Sequence, residues 1–263
     1  MIIIKKVLLV VLILILFVIA ISNNKTQKQK NNNWNKISYY KKENLNRYES
    51  YKKKNPNKSL EEVITEVNIG IDVPFYSQIK LSKNQNSHYV LVNKYNSLNK
   101  DFVPNKLVEV DNTKLSFIAA KEFNNMKRQA KEENLNLVAI SGYRSYEYQA
   151  SLYNKYVNKD TKEKADTYSA RPAHSEHQTG LAIDISNGES SYTEFENTKE
   201  FIWMKNNAHK FGFILRYPKD KENITGYIYE AWHYRYVGLD IAMYIKKHNI
   251  TFDEYYVKFI DKN

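Results

Sequence analysis

Three short segments carry side chains that chemistry could use: Ser141-Gly-Tyr-Arg-Ser145, Ser175-Glu-His-Gln-Thr-Gly-Leu-Ala-Ile-Asp184 and Glu230-Ala-Trp-His-Tyr-Arg-Tyr236. In the second, Leu181, Ile183 and Ile185 alternate with Ala182, Asp184 and Ser186, so a strand is expected with Asp184 turned away from the apolar face. A carboxylate in the middle of a buried strand needs a stabilising partner, and a cation is the simplest. With His177 before the strand and His233 on a neighbouring one, Asp184 would complete a His/Asp/His set that leaves a fourth tetrahedral position for water, the open arrangement of catalytic zinc. Glu230, three residues before His233, is a candidate base. Residues three apart face opposite sides of a regular strand, so Glu230 and His233 can share a site only if the backbone bulges or breaks near Ala231 and Trp232. Taken singly, Asp184 also reads as a turn or cap acid and His233 as a hydrogen-bonded core histidine. Arg144 adds an anion-stabilising candidate, and His174, three before His177, a competing ligand.

These groups need elements to hold them. Ser59-Leu-Glu-Glu62 has the Ser-x-x-Glu form of a capping box and opens a helix towards Val67, ended by the segment from Asn68 to Pro74. Tyr89 to Asn93 reads as a short strand. Leu115, Ile118, Ala119, Phe123, Met126 and Ala130 recur at three and four residues, predicting a helix from Lys114 to Glu133. Strands are expected over Leu135–Ser141, Gly180–Ser186, Phe211–Tyr217 and Tyr227–Tyr236, and helices over Tyr146–Val157, Thr198–Lys210 and Asp240–Lys247. Helices and strands mix without regular βαβ alternation, so the fold class expected is α+β, a central, mainly antiparallel sheet with flanking helices.

The 263 residues allow one ordinary domain with appendages, and 22 Tyr, 11 Phe and 3 Trp supply a full core. With no cysteine, disulfides, thiolate metal sites and a cysteine nucleophile are excluded. The net charge of +11 is confined to the N-terminal part: Asn23 to Lys58 holds eleven Lys or Arg against two Glu, whereas Ser59 to Asn263 holds 27 basic and 27 acidic residues. A neutral folded part argues against a nucleic-acid partner. The apolar run Val7 to Ile21 follows Lys5 and Lys6 and reads as a membrane anchor or signal segment, with the lysines inside and the remainder outside the cell. The expected organisation is residues 1–22 anchor, 23–58 a basic polar stalk, 59–88 a lead-in segment and 89–263 the catalytic domain.

The sequence resembles the VanY-type zinc D-alanyl-D-alanine carboxypeptidases, relatives of the D-Ala-D-Ala dipeptidases and of the hedgehog-like metallopeptidase fold. The resemblance runs from about Ser59 to Gly238. It is carried by Val67-Asn-Ile-Gly70, Leu91-Val-Asn-Lys-Tyr95, Ser141-Gly-Tyr-Arg-Ser145, Ser175-Glu-His-Gln-Thr-Gly180 and Gly226-Tyr-Ile-Tyr-Glu-Ala-Trp-His-Tyr-Arg-Tyr-Val-Gly238. It implies Zn2+ held by His177, Asp184 and His233, Glu230 as general base, Arg144 as oxyanion stabiliser, and Ser175 and Gln149 lining the peptide site. The implied reaction removes the C-terminal D-alanine from peptidoglycan stem peptides at the outer face of a bacterial membrane, or in the surroundings if the N-terminal segment is cleaved. An L,D-carboxypeptidase acting on the stem tetrapeptide and a wall-binding module without activity are the alternatives. One position departs from the family: Ala231 stands where it usually has proline.

Overall fold

The computed structural model describes residues 13, 15–22 and 33–261. Two helices, α1 (Leu45–Lys54) and α2 (Leu60–Ile69), begin the folded part. Ser59 caps α2 reciprocally: its Oγ accepts from the Glu62 amide at 3.1 Å, and Glu62 Oε2 accepts from the Ser59 amide at 2.7 Å. Trp34, Tyr39 and Tyr48 pack against Val63, Ile64 and Val67 of α2, and Arg47 forks onto Asp72 at 2.5 and 2.8 Å. Lys41 reaches Asp261 (2.6 Å) and Lys258 reaches Glu61 (3.0 Å), so this region is tied to the last turns of the chain.

The stretch expected as a stalk, 23–58, is therefore folded where it is described, from residue 33 on. Its aromatic residues are placed to meet the apolar face of α2, and burying that shared surface outweighs the polar composition. Residues 23–32 and, within the apolar run Val7 to Ile21, residues 7–12 and 14 lie outside the described residues. Residues 15–22 are helical, with Leu16, Phe17, Val18 and Ile19 all exposed. Among the described residues no helix is long and apolar enough to cross a membrane.

Two short strands, β1 (Lys80–Leu81) and β2 (Asn96–Ser97), pair in parallel, and β3 (Leu107–Val110) and β4 (Thr113–Ser116) form a hairpin. Tyr89 to Asn93, expected as a strand, is irregular. Val90, Leu91 and Val92 are buried, but their backbone serves side chains: Ser82 Oγ donates to the Leu91 carbonyl and Arg235 to that of Val90. Helix α3 (Phe117–Glu132) starts three residues later than its periodicity suggested, because Thr113–Ser116 is taken by the hairpin.

Next come β5 (Val138–Ser141), α4 (Tyr146–Lys159), α5 (Lys162–Tyr168), β6 (Ala182–Ser186), α6 (Lys199–Asn207), β7 (Phe213–Leu215), α7 (Glu222–Thr225), β8 (His233–Tyr236), α8 (Leu239–His248) and α9 (Phe252–Tyr255). The central sheet has the order β5-β6-β8-β7 with every pairing antiparallel, the α+β arrangement expected. Leu181, Ile183 and Ile185 share a core with Phe123 and Met126 of α3 and Trp203 and Met204 of α6. The alternation of β6 thus commits one face to the core and turns Asp184 to the other.

The strand expected over Tyr227–Tyr236 shortens to β8. The His233 amide donates to the Glu230 carbonyl at 3.2 Å, closing a four-residue turn ahead of the strand, and the Glu230 amide donates to Tyr217 at 3.1 Å. The three-residue spacing of Glu230 and His233 demanded such a break; it is a turn preceding β8, not a bulge inside it. Ala231 sits at the second position of this turn, where proline is favoured, and its amide donates to no backbone carbonyl among the described residues. Ala231→Pro is therefore expected to leave stability within about 1 kcal/mol of the parent in urea unfolding. A loss of several kcal/mol would show that the turn needs the amide or a different φ.

Candidate active site

Strand register supplies the floor of the site. Ser141 of β5 lies opposite Asp184 of β6, and Asp184 lies opposite His233 of β8, so three chemistry-bearing residues fall in one row across the sheet. The register slips between Ala139 and Ser141, where β5 gives way to the turn that carries Arg144. His177 comes from a 3-10 turn, Glu176–Thr179, ended by Gly180 at φ 65°. Gly142 is needed for a different reason: a Cβ there would lie 2.4 Å from the Lys114 carbonyl oxygen. This close approach leaves the Gly142 carbonyl free to accept from His177 Nδ1 at 2.7 Å. A carbonyl can only accept, so Nδ1 carries the proton and Nε2 keeps its lone pair.

That Nε2 lies 3.4 Å from Asp184 Oδ2, and His233 Nδ1 lies 3.0 Å from Asp184 Oδ1. One donor atom from each of the three residues falls within 4.8 Å of the others, and all three residues are buried. Ligands about 2.0–2.2 Å from a tetrahedral zinc stand about 3.3 Å apart, so this spacing suits that ion. Two imidazoles and one carboxylate are also its usual donors, with the fourth direction left open. His174, the other histidine of the motif, does not join them: its Nδ1 donates to the Asn93 carbonyl at 2.8 Å and its ring meets Tyr76 edge-on.

The Glu230 carboxylate stands 3.9 Å from His233 Nδ1, beyond hydrogen-bond reach, and borders the cavity. Arg144 donates to Ser141 Oγ (2.8 and 3.0 Å) and to Asp184 Oδ2 (2.7 Å). The cavity is about 720 Å3, and Arg144 is the one Lys or Arg among its described lining residues. Ser175 and Gln149 are buried in its wall; Gln149 Nε2 donates to the Ala170 carbonyl at 2.8 Å, while its Oε1 has no partner among the described residues. Of Tyr143, Tyr217, Tyr229 and Trp232, Tyr217 and Trp232 line the cavity and Tyr143 and Tyr229 do not. Tyr217 stacks on the His233 ring at 4.8 Å, and Tyr192 meets Trp232 edge-on at the rim.

Burial would raise the Asp184 carboxyl, but His177, His233 and Arg144 outweigh that and hold it well below the usual carboxylate range. Burial, with Arg144 adding to it, pushes the His177 imidazole down to about 4, so it is neutral and able to ligate at any ordinary pH. Burial would also lower His233, yet the Asp184 and Glu176 carboxylates beside its ring push it up to about 9; a cation on that ring would displace the proton. Glu230 moves the opposite way to Asp184: burial pushes its carboxyl up to about 8 against the attraction of His233. Two carboxylates a few ångströms apart are thereby set up for different tasks, one permanently anionic and one able to take and release a proton near neutrality.

Sequence reasoning did not single out Glu176, which lies buried beneath His233, or the rim tyrosines Tyr148 and Tyr192. The only sequence signal for Glu176 is its place between Ser175 and His177, since nothing in a 3-10 turn announces which way each side chain points.

Two buried imidazoles and a fixed carboxylate at the edge of a cavity, with a separate titratable carboxylate beside them, define a zinc metallopeptidase. The family model described as D-alanyl-D-alanine carboxypeptidase, VanY, matches residues 112–239. YodJ of Bacillus subtilis, which bears a provisional carboxypeptidase name, is 38% identical over 201 residues, covering 71% of this chain and 73% of YodJ. Among solved structures, the LdcB LD-carboxypeptidase is 38% identical with a TM-score of 0.65, covering 69% of this chain and 91% of that one. A variant of the VanY D,D-pentapeptidase from the VanB-type resistance cassette, in complex with Zn(II), is 32% identical with a TM-score of 0.58, covering 64% of this chain and 98% of that one. The chain belongs to the VanY family of D-alanyl-D-alanine carboxypeptidases, and it is a zinc metallocarboxypeptidase.

Proposed function

We propose that the protein removes the C-terminal D-alanine from peptidoglycan stem peptides. The observation that carries this reading is the row Ser141–Asp184–His233 with His177 and Glu230 above it, at the base of a cavity large enough for the end of a peptide. His177 Nε2, Asp184 and His233 Nδ1 would hold the zinc. Bound there, the ion supplies Lewis acidity, lowering the pKa of water towards about 7 and polarising a carbonyl. Glu230 takes the proton from the attacking water and delivers it to the leaving amine nitrogen as the peptide C–N bond breaks. Arg144 contributes a positive charge beside the oxygen that becomes negative. Ser175 and Gln149 form part of the wall against which the peptide lies, and Gln149 Oε1 offers an acceptor for a substrate N–H.

The experiment is a panel of defined tripeptide, tetrapeptide and pentapeptide stems incubated with the zinc-loaded protein. Release of D-alanine from the pentapeptide, leaving the tetrapeptide intact, is the expected result. Cleavage of the tetrapeptide instead would make the enzyme an L,D-carboxypeptidase, a second reading that the likeness to LdcB favours. No cleavage of any stem would leave only a binding role.

The same reading places the domain outside the cell, where its substrate is. Lys5 and Lys6 before the apolar run and the exposed apolar side chains of residues 15–22 support attachment to the membrane through the N-terminal segment. Protease added to intact protoplasts is then expected to remove the domain while a cytosolic control survives. Protection until lysis would reverse the orientation.

A further inference from the structure

Glu176 precedes His177 directly, yet its side chain runs into the protein beneath His233 and is fully buried. Its Oε1 accepts from Arg216 Nε at 2.8 Å and from Arg235 Nη1 at 2.9 Å. Among the described residues its Oε2 has no partner within hydrogen-bond reach; it lies 3.5 Å from His233 Nε2, which is equally buried and equally without one. The two orphaned atoms face each other. An unmatched polar atom in a buried site is destabilising, so the few tenths of an ångström of adjustment that would pair them are favourable.

The carboxylate is held from behind. Arg216 also donates to Asp253 at 2.6 Å, and Asp253 accepts from Asn93 at 2.8 Å. Arg235 also donates to the carbonyls of His88 and Val90 at 3.2 and 2.8 Å. Arg235 follows His233 by two residues on β8, so strand alternation sets the guanidinium and the imidazole on one side of the sheet. Both guanidinium groups engage Oε1, which leaves Oε2 directed at the histidine.

We propose that Glu176 is a positioning residue that accepts the Nε2 proton of His233, and so holds that ring in the tautomer whose Nδ1 lone pair faces Asp184 and the metal position. A neutral imidazole carries one proton, and an acceptor on one nitrogen decides which nitrogen is free to ligate. The inference rests on the reading of His177, Asp184 and His233 as the zinc site. It adds that three residues from separate parts of the chain, Glu176, Arg216 and Arg235, form the support that orients one ligand.

Two measurements test it, neither of them of activity. In the zinc-loaded full chain labelled with nitrogen-15 in histidine, two-bond proton–nitrogen correlations report which ring nitrogen carries hydrogen. For His233 the proton is expected on Nε2; a proton on Nδ1 overturns the proposal, whereas a wild-type chain that takes up no zinc overturns the site reading itself. The second measurement is zinc affinity by chelator competition in Glu176→Gln and Asp253→Asn. Glutamine can turn an N–H towards His233 and favour the wrong tautomer, so Glu176→Gln is expected to bind zinc roughly 10- to 100-fold more weakly. Asp253→Asn removes a buried carboxylate from the same arginine cluster without touching His233, and is expected to keep wild-type affinity. Wild-type affinity in Glu176→Gln, or an equal loss in both variants, would reduce Glu176 to a partner of the arginines alone. Should Glu176→Gln fail to fold, the tautomer in the wild-type protein decides.

Discussion

Glu230→Gln should slow turnover by roughly 10² to 10⁴ fold while the protein keeps its zinc and its fold, because the amide has the shape of the acid but cannot accept a proton. Glu230 Oε2 stands 3.9 Å from His233 Nδ1 at the edge of the cavity, beside the three-residue group and not part of it. The pH profile adds a second reading of the same residue. As a base Glu230 must be ionised, so the rate rises with pH through its pKa. Burial sets that value at about 8 among the protein groups alone, and a nearby divalent cation lowers it, so the rising limb is expected to lie at or below pH 8. In Glu230→Gln this limb should vanish. Stem-peptide turnover measured beside metal content by atomic absorption decides the matter: near-normal turnover removes Glu230 from the mechanism, and loss of zinc makes it a ligand.

Asp184→Ala should abolish zinc binding and activity together. Asp184 accepts from Arg144 at 2.7 Å, faces His233 at 3.0 Å and His177 at 3.4 Å, and supplies the only anionic donor of the three-residue group. Its loss also leaves the Arg144 guanidinium without its carboxylate. Breaking one half of a buried pair costs about 3–5 kcal/mol, so part of the effect will be a lower melting temperature. Asp184→Asn separates the two consequences, since it keeps the volume and one oxygen but removes the charge. It is expected to fold and to bind zinc far more weakly than the parent, with the melting temperature no longer responding to chelator. Retention of full zinc content in Asp184→Ala would remove it from the ligand set and force the site to be drawn again around Glu230.

The elements that lie close to the site were largely legible in the sequence, because their signals are local. The alternation of Leu181, Ile183 and Ile185 states which face of β6 is buried, and so which way Asp184 points, without reference to any other part of the chain. The Ser59–Glu62 capping box and the three- and four-residue apolar spacing of α3 are likewise properties of a few consecutive residues. The break between Glu230 and His233 was legible for a related reason: two side chains three apart can meet at one site only if the strand stops, and β8 begins at His233.

What only the tertiary structure decided depends on partners distant in sequence. Val90 and its neighbours have strand-like composition, but Arg235 and Ser82 claim their carbonyls, so no strand forms there. The basic region from residue 33 to 58 looked like a tether because its Trp34, Tyr39 and Tyr48 have no local period; their burial exists only once α2 presents Val63, Ile64 and Val67. Glu176 is the strongest case. A charged residue in a motif reads as a surface group until Arg216 and Arg235, 40 and 59 residues away, close around it beneath His233. Periodicity and spacing record how a segment divides its own residues between core and solvent. The pairing of buried charges is a property of the assembled core, and it is there that the surroundings of His233 are decided.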